Sequence, residues 1–259
     1  MTQEKRRLYL IKELINENSN YSDIVIPKNE VEQKALLRGL LNVRMPNDIS
    51  KEFLKIQDEY LQEECKSKGI TDLEDLEPIE NDFYLWQGDI TTLKCDAIVN
   101  ACNCDLLGCF YPNHKCIDNA IHTFSGVQLR LACNEIMVKQ GHKEETGMAK
   151  ITLAFNLPCK YVIHTVGPIV RGKLTEKDCD LLKSCYISSL EIAEKNHLNS
   201  IAFCCISTGE FHFPNDKASE IATNTVKEYK EKTHSKIKVI FNVFKDLDKR
   251  IYEKLLRAD

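Results

Sequence analysis

The first part of the chain has the spacing of amphipathic helices. Apolar residues recur every three or four positions over three segments, residues 5–14, 31–43 and 49–64. Pro27 and Pro46 separate these segments, because proline interrupts a helix from within. An acidic stretch over residues 71–82 follows and is typical of a connector. The pattern predicts a helical N-terminal extension over residues 1–80.

After residue 82 the pattern changes to short β-rich runs that alternate with helical segments. The predicted strands are residues 83–87, 97–100, 150–154, 161–165, 200–205 and 238–243, and the predicted helices are residues 117–140, 177–197, 215–232 and 246–257. Several strands are continuous apolar runs, which is typical of strands covered on both faces. The alternation predicts an α/β domain over residues 81–259. We expect a three-layer sandwich with ligands at the carboxyl ends of its strands.

Composition places the chain among ordinary globular proteins. It has 259 residues, 43% of them hydrophobic and 29% charged, with a formal net charge of 35 − 39 = −4. This excludes disorder as the dominant state. A slightly acidic chain without a basic block argues against nucleic acid as the main partner. No run approaches the roughly 20 apolar residues of a membrane span, and the N-terminus lacks a secretory signal, so we expect a cytoplasmic protein with no membrane partner.

One feature of the composition is unusual, namely that the chain has twelve cysteines. Disulfide frameworks belong mainly to small exported domains, so we expect free thiols in this chain. The thiols are unevenly placed, because the first 64 residues contain none, whereas five fall close together at Cys95, Cys102, Cys104, Cys109 and Cys116. This cluster is the first place to look for chemistry.

Asp89 lies in a short polar run, Gly-Asp-Ile-Thr, directly after a predicted strand. Glycine permits a tight turn, and an aspartate at a strand end can accept a hydrogen bond from an exocyclic amine such as that of adenine. The alternative is an ordinary β-turn.

A second polar run, Ser-Thr-Gly-Glu-Phe-His-Phe-Pro over residues 207–214, also follows a predicted strand. Its hydroxyls and its backbone N–H groups around a glycine form a nest suited to phosphate. Phe211 or Phe213 offers a face to a ribose or a base. The run matches neither the phosphate-loop pattern of nucleotide triphosphatases nor GxGxxG, and an ordinary loop is the alternative.

The most specific run is Cys-Phe-Tyr-Pro-Asn-His-Lys-Cys over residues 109–116. Cys109, His114 and Cys116 on a proline-bent loop can converge on one tetrahedral ion, and thiolate with imidazole suits zinc. Three ligands leave a fourth position for water or substrate, as in catalytic sites. One alternative is free thiols beside a surface histidine, and another is a structural site closed by Cys102 or Cys104. A third alternative is a Cys116 nucleophile with His114 as its base.

Several ordered runs together resemble the macrodomain family. They are GDITTLKCDAIVNACN (88–103), LLG (106–108), IDNAIH (117–122), YVIHTVGP (161–168) and STGEFHFP (207–214). CFYPNHKC (109–116) stands where the family ordinarily has a glycine run. In this the chain resembles the zinc-containing branch, whose members also carry a helical N-terminal extension. The resemblance covers essentially all of residues 83–245 and implies an α/β/α sandwich with a mixed sheet of about six strands.

The resemblance also implies a site for ADP-ribose with Zn²⁺ as cofactor. Asp89 and the Ile90 backbone would bind adenine, and Asn103 would meet the distal ribose. The diphosphate would lie against Ser207, Thr208, Gly209, Glu210 and Phe211. Three further positions of the family's pattern around the ligand are Asn100, Gly108 and Ile117.

The zinc is expected beside the distal ribose. The catalytic residues implied are Asn103, the zinc ligands Cys109, His114 and Cys116, and Asp118. Asp118 is a candidate base, with helix capping as its alternative. Zinc would either lower the pKa of a bound water or orient the ribose for attack.

Members of the branch remove mono-ADP-ribose from proteins, so the resemblance implies a zinc-dependent hydrolase that releases ADP-ribose. It also implies two partners, a sirtuin-type ADP-ribosyltransferase and a lipoyl-carrier protein as its target. One rival function is a reader module that binds ADP-ribosylated proteins without turnover. Another is a redox or metal sensor built on the thiols.

Overall fold

A computed structural model describes residues 1–257 and shows three helices at the N-terminus. They are α1 (Gln3–Asn16), α2 (Glu30–Val43) and α3 (Lys51–Lys68). Each helix is preceded by a residue whose side chain accepts a backbone N–H of the first turn, namely Thr2, Asn29 and Ser50. The apolar stripes of the three helices form a small core of their own. The predicted helical extension is confirmed.

Eight strands lie in the part of the chain that the structure describes. They are β1 (Thr71–Asp72), β2 (Phe83–Gln87), β3 (Leu93–Lys94), β4 (Ala97–Cys102), β5 (Ala149–Leu153), β6 (Tyr161–Val166), β7 (Ser200–Phe203) and β8 (Lys238–Val243). β1 and β3 form a parallel pair, and the other six form one sheet in the order β2-β8-β7-β4-β6-β5. Neighbours in this sheet are parallel except β5, which is antiparallel to β6. The mixed six-stranded sheet is confirmed.

Five helices of the described residues form the layers outside this sheet. They are α4 (Ile117–Ser125), α5 (Val127–Gln140), α6 (Glu176–Lys195), α7 (Asn215–Thr233) and α8 (Asp246–Leu256). α6, α7 and α8 contact one another in turn and form one layer, whereas α4 and α5 form another. The strands between the layers carry fully buried apolar residues such as Ile98, Val162 and Ile240. The three-layer sandwich is confirmed.

The single helix predicted over residues 117–140 is two helices, because the chain breaks at Gly126. Gly126 has a φ of +95°, which residues with a Cβ atom rarely adopt. The first backbone N–H of α5, that of Val127, donates to Oε1 of Gln57 in α3 at 3.0 Å. The cap of α5 therefore comes from the N-terminal extension, and the apolar spacing carries no signal for it.

Other expectations need smaller corrections. The strand predicted over residues 200–205 ends at Phe203, and the predicted connector over residues 71–82 contains β1. All twelve cysteines are free thiols, as expected. Among the helices of residues 1–257, none is long and apolar enough to cross a membrane.

Candidate functional site

The polar runs that the sequence singles out meet at one edge of the sheet. Asp89 follows β2, the 109–116 run follows β4, and Ser207 follows β7. Because β2, β4 and β7 lie in the parallel part of the sheet, their carboxyl ends point to the same side. We call this side the C-terminal edge. Three runs that are separate in the sequence therefore contribute to one region of the surface.

Cys109, His114 and Cys116 come together in the loop before α4, which we call the metal loop (residues 109–116). One ligand atom from each residue lies within 4.8 Å of the other two. Sγ of Cys109 lies 3.5 Å from Nδ1 of His114. In a tetrahedral zinc site, a sulfur at about 2.3 Å and a nitrogen at about 2.0 Å from the ion lie about 3.5 Å apart. The donor set and its spacing therefore fit zinc.

The surroundings of the metal loop favour an open three-ligand site. The group of ligand atoms includes neither Cys102 nor Cys104. Sγ of Cys102 is buried in the sheet and donates to the carbonyl of Thr165. The alternative in which either thiol closes a four-ligand site does not match this arrangement. Nε2 of His114 lies 3.6 Å from a carboxylate oxygen of Glu210, the outer contact that metal-bound histidines commonly make.

Cys116 has a second role as the first cap of α4. Its Sγ accepts the backbone N–H of Asn119 at 3.4 Å. Burial raises the pKa of the Cys116 thiol to about 12. His114 makes its contact with Cys109 instead. A thiol with a raised pKa is a poor nucleophile, so the geometry does not favour the Cys116–His114 nucleophile pair.

Asp118 is a buried carboxyl group in the first turn of α4. The capping role falls to Cys116, and Oδ1 of Asp118 instead accepts the Asn100 side-chain amide at 2.8 Å. Burial raises the pKa of Asp118 to about 6, although the Asn100 hydrogen bond and the positive charge of Arg130 act in the opposite direction. A carboxylate with a pKa near the working pH is suited to accept a proton.

Asn100, expected among the ligand-binding residues, is fully buried in β4. Its Nδ2 lies 3.2 Å from Nδ1 of His164 and also donates to Asp118. Nε2 of His164 lies 2.9 Å from the hydroxyl of Thr152, and burial lowers the pKa of His164 to about 3. The neutral imidazole therefore accepts at Nδ1 and donates at Nε2. Asn100 acts on the site through Asp118.

His164 also belongs to a second group with metal-binding atom types, together with His122 and Cys133. All three residues are buried. Both nitrogens of His164 are already within hydrogen-bond distance of Asn100 and Thr152. We interpret this group as part of the buried polar network beneath Asp118.

Asp89 has the turn role considered for it and keeps one carboxylate oxygen outside that turn. Its Oδ1 accepts the backbone N–H of Thr91 at 3.0 Å and the Thr91 hydroxyl at 2.6 Å, so it caps the turn that follows. Its Oδ2 lies 3.4 Å from Nζ of Lys68 at the end of α3. This second oxygen is the one positioned to accept a ligand amine. Ile90, whose backbone was also expected at the ligand, is buried next to Asp89 in the chain.

The 207–214 loop is bent back on itself. Ser207 has a φ of +64°, and its carbonyl accepts the backbone N–H of Phe213. The backbone N–H groups of Gly209, Glu210 and Phe211 have no acceptor among the described residues. Successive free N–H groups suit a phosphate. Phe213 is buried, so only Phe211 of the two phenylalanines is partly exposed.

Asn103 holds the turn that leads into the metal loop. Its Nδ2 donates to the carbonyl of Gly108 at 3.1 Å, and its Oδ1 accepts the backbone N–H of Asp105 at 3.0 Å. Gly108 precedes Cys109, and Ile117 follows Cys116. The remaining expected contacts therefore flank the metal loop.

Phe244 is a candidate site residue that the sequence pattern did not single out. It follows β8, the neighbour of β2, and 74% of the residue is exposed. Its carbonyl accepts the Gln87 side chain, and Gly88 donates to the carbonyl of Val243, so Phe244 and Asp89 continue adjacent strands. An aromatic side chain directly after a buried strand is the signal that marks this position.

The arrangement has counterparts among known proteins. The sequence model of the Macro domain family matches residues 99–222. A protein-ADP-ribose hydrolase of Treponema medium is 58% identical over 99% of this chain and 100% of its own length. A protein-ADP-ribose hydrolase of Staphylococcus aureus (strain MSSA476) is 49% identical over 98% of this chain and 97% of its own length. The crystal structure of the Trypanosoma brucei macrodomain in complex with ADP-ribose has a TM-score of 0.66 at 29% identity, covering 85% of this chain and 94% of that one.

The chain therefore belongs to the Macro domain family.

Proposed function

We propose that this protein is a zinc-dependent hydrolase that releases ADP-ribose from mono-ADP-ribosylated proteins. Relatives that match it over nearly their whole length are protein-ADP-ribose hydrolases, which supports the hydrolase class and ADP-ribosylated proteins as substrates. The observation that carries the zinc dependence is the convergence of Cys109, His114 and Cys116 at the C-terminal edge.

ADP-ribose fits the C-terminal edge as an extended ligand. The adenine amine would donate to Oδ2 of Asp89, and its ring would stack on the exposed side chain of Phe244. The diphosphate would accept the free N–H groups of residues 209–211. This order brings the distal ribose to Asn103 and the metal loop. A structure of the Trypanosoma brucei relative with ADP-ribose supports the ligand class.

The chemistry needs a stabilised sugar cation and a water from which a proton is removed. Cys109, His114 and Cys116 would hold the zinc, which would supply positive charge for oxygen atoms of water or ribose. Asp118 accepts a proton from the attacking water at the oxygen that Asn100 leaves free. The bond from the anomeric carbon to the modified protein breaks, the water oxygen adds to that carbon, and the proton passes on to the departing protein atom.

The partners belong to the same proposal. The likeness of the metal loop to the zinc-containing branch supports a sirtuin-type ADP-ribosyltransferase that supplies the substrate and a lipoyl-carrier protein that carries the modification. A cytoplasmic location remains a prediction of the sequence.

Comparing two cysteine substitutions separates the hydrolase from a reader module. Cys116 lies in the metal loop, whereas Cys179 lies in the first turn of α6 and is not among the grouped ligand atoms. With a mono-ADP-ribosylated protein as substrate, we expect wild type and Cys179→Ser to release ADP-ribose and Cys116→Ser to release it at least about a hundredfold more slowly. Binding of the modified protein by wild type with no release would instead establish a reader. Equal loss in both variants would point to general thiol chemistry, as in a sensor.

A further inference from the structure

We infer that helix α2 of the N-terminal extension holds the metal loop in its ligand geometry and thereby sets its affinity for zinc. This inference rests on the proposed function, because it assigns the extension a part in the same site. α2 contributes no ligand atom, so its residues are positioning residues. Three of them contact the metal loop or the first turns of α4.

Arg38 binds both ends of the connection between the metal loop and α4. Its Nη2 donates to the backbone carbonyl of His114 at 3.0 Å. The same guanidinium donates to Oδ1 of Asn119 at 2.8 Å and 3.2 Å. Nδ2 of Asn119 in turn donates to the carbonyls of Tyr111 and Cys109, at 3.1 Å and 3.4 Å. One arginine of the extension therefore fixes the backbone at two ligands, directly at His114 and through Asn119 at Cys109.

Asn42 binds the turn just before His114. Its Oδ1 accepts the backbone N–H of Asn113 at 2.9 Å, and its Nδ2 donates to the hydroxyl of Thr123 in α4 at 2.9 Å. Asn42 is 1% exposed, so water does not compete for these bonds. Asn113 has a φ of +57°, and the bond to Asn42 holds it in that strained turn.

Gly39 lets α2 lie directly on the loop. A Cβ atom at this position would lie 3.3 Å from the side-chain amide of Asn113 and 3.7 Å from Cβ of Pro112. Glycine in a helix interior weakens the helix, so its presence here goes with the close approach that it permits. A larger side chain would push the loop away while it improved the intrinsic stability of the helix.

Arg130 of α5 fastens the end of α2 to the other side of the loop. Its Nη1 donates to the carbonyl of Leu41 at 3.0 Å and also to the carbonyl of Arg44. Its Nε donates to the carbonyl of Leu107, two residues before Cys109, at 2.6 Å. The segment that leads into the metal loop is thus bonded to the C-terminal end of α2 through one buried guanidinium.

The metal loop has little regular structure of its own to maintain ligand positions. A loop that is already ordered binds its ion more tightly, because it loses little conformational entropy when the ion binds. Groups that orient metal ligands typically change metal affinity by about 10- to 100-fold when they are removed. The bonds from α2 are of this kind, since they orient the backbone of the ligands.

The test compares zinc affinity among full-length variants by competition with a chromophoric chelator, with the thermal midpoint measured alongside. Arg38→Gln removes the bonds to His114 and Asn119, and Gly39→Leu displaces the loop without removing a hydrogen-bonding side chain. Arg6→Gln is the matched control, because Arg6 bonds to Glu59 within the extension and touches no part of the loop. We expect about 10- to 100-fold weaker zinc binding for the first two variants and unchanged binding for the control.

The outcomes separate the two proposals. One outcome is that wild type binds one zinc per chain and that Arg38→Gln and Gly39→Leu bind zinc as tightly as Arg6→Gln. This result would overturn the role of α2 and leave the proposed function standing. Wild type that binds no zinc would overturn the zinc-dependent function and the inference with it. If Arg38→Gln fails to fold, Gly39→Leu decides alone, because this variant keeps every hydrogen-bonding side chain of α2 and gains helix propensity.

Discussion

Asp118 is the residue on which the proposed chemistry depends most, and the fold shields most of it from bulk solvent. It is 5% exposed, and its carboxyl group faces Asn100, His122 and the charge of Arg130. Burial raises its pKa to about 6, from an ordinary value of 3.8. The folded state therefore favours the protonated acid. The contribution of Asp118 to stability is fully present below pH 3.8 and is lost as the pH rises through about 6.

Replacing Asp118 by asparagine is expected to lower the activity and to raise the stability above pH 6. The raised pKa corresponds to about 3 kcal/mol of unfolding free energy that the wild type loses once Asp118 is ionised, above pH 6. Asp118→Asn has no carboxyl group to ionise and does not lose it. We expect chemical denaturation of metal-free protein to show a higher unfolding free energy for the variant at pH 8 and little difference at pH 4. Release of ADP-ribose by the zinc-loaded variant should fall by about 10²- to 10⁴-fold. Full activity in the variant would rule out Asp118 as the base.

Phe244→Ala is expected to weaken the binding of ADP-ribose with little effect on stability. Stacking of a base on an aromatic ring is worth about 1–3 kcal/mol, which corresponds to a roughly 5- to 100-fold higher Kd. Titration calorimetry with ADP-ribose measures the Kd of each variant. Leu153→Ala is the control, because Leu153 is also exposed but lies on β5 at the opposite edge of the sheet. Equal affinities in both variants would remove Phe244 from the site.

Single residues differ in how far the sequence reveals them. The Cys109, His114 and Cys116 group is local, so its spacing already indicated a metal loop. Phe244 depends on the pairing of β8 with β2, which the sequence pattern does not specify. The hydrogen bond from Asn100 to Asp118 likewise joins a strand to a helix and appears only in the fold.

At the scale of elements, the sandwich helices and strands were predictable because their apolar spacing is strong. The break between α4 and α5 was not, since α4 and α5 read as one apolar pattern. It depends on Gln57, a fully buried residue of α3 whose Oε1 accepts the first N–H of α5 and whose Nε2 donates to Gln128 at 2.7 Å. Contacts between distant elements override local pattern here.

Gln57→Ala is expected to destabilise the junction between α3 and α5. The substitution leaves the backbone N–H of Val127 buried without its partner, which costs about 1–3 kcal/mol. Urea denaturation should show a lower midpoint with an unchanged slope. A midpoint equal to that of wild type would show that the cap from α3 contributes nothing.

At the scale of the whole molecule, the extension and the sandwich share one set of hydrogen bonds around the metal loop. Arg38 and Asn42 reach from α2 to the loop and α4, and Lys68 at the end of α3 reaches Asp89. The extension therefore contacts both ends of the region proposed for ADP-ribose. The sequence predicted its helices but could not predict these contacts, because single polar residues on amphipathic helices resemble ordinary solvated positions.

The central claim is that zinc held by the metal loop is required for release of ADP-ribose. The most direct measurement is the rate of release from a mono-ADP-ribosylated protein by enzyme stripped with a chelator, before and after the addition of one equivalent of zinc. We predict a rate at least about a hundredfold lower after stripping, restored by that single equivalent. Release of ADP-ribose at the full rate by stripped enzyme would contradict the zinc requirement, provided that metal analysis shows no zinc in that enzyme.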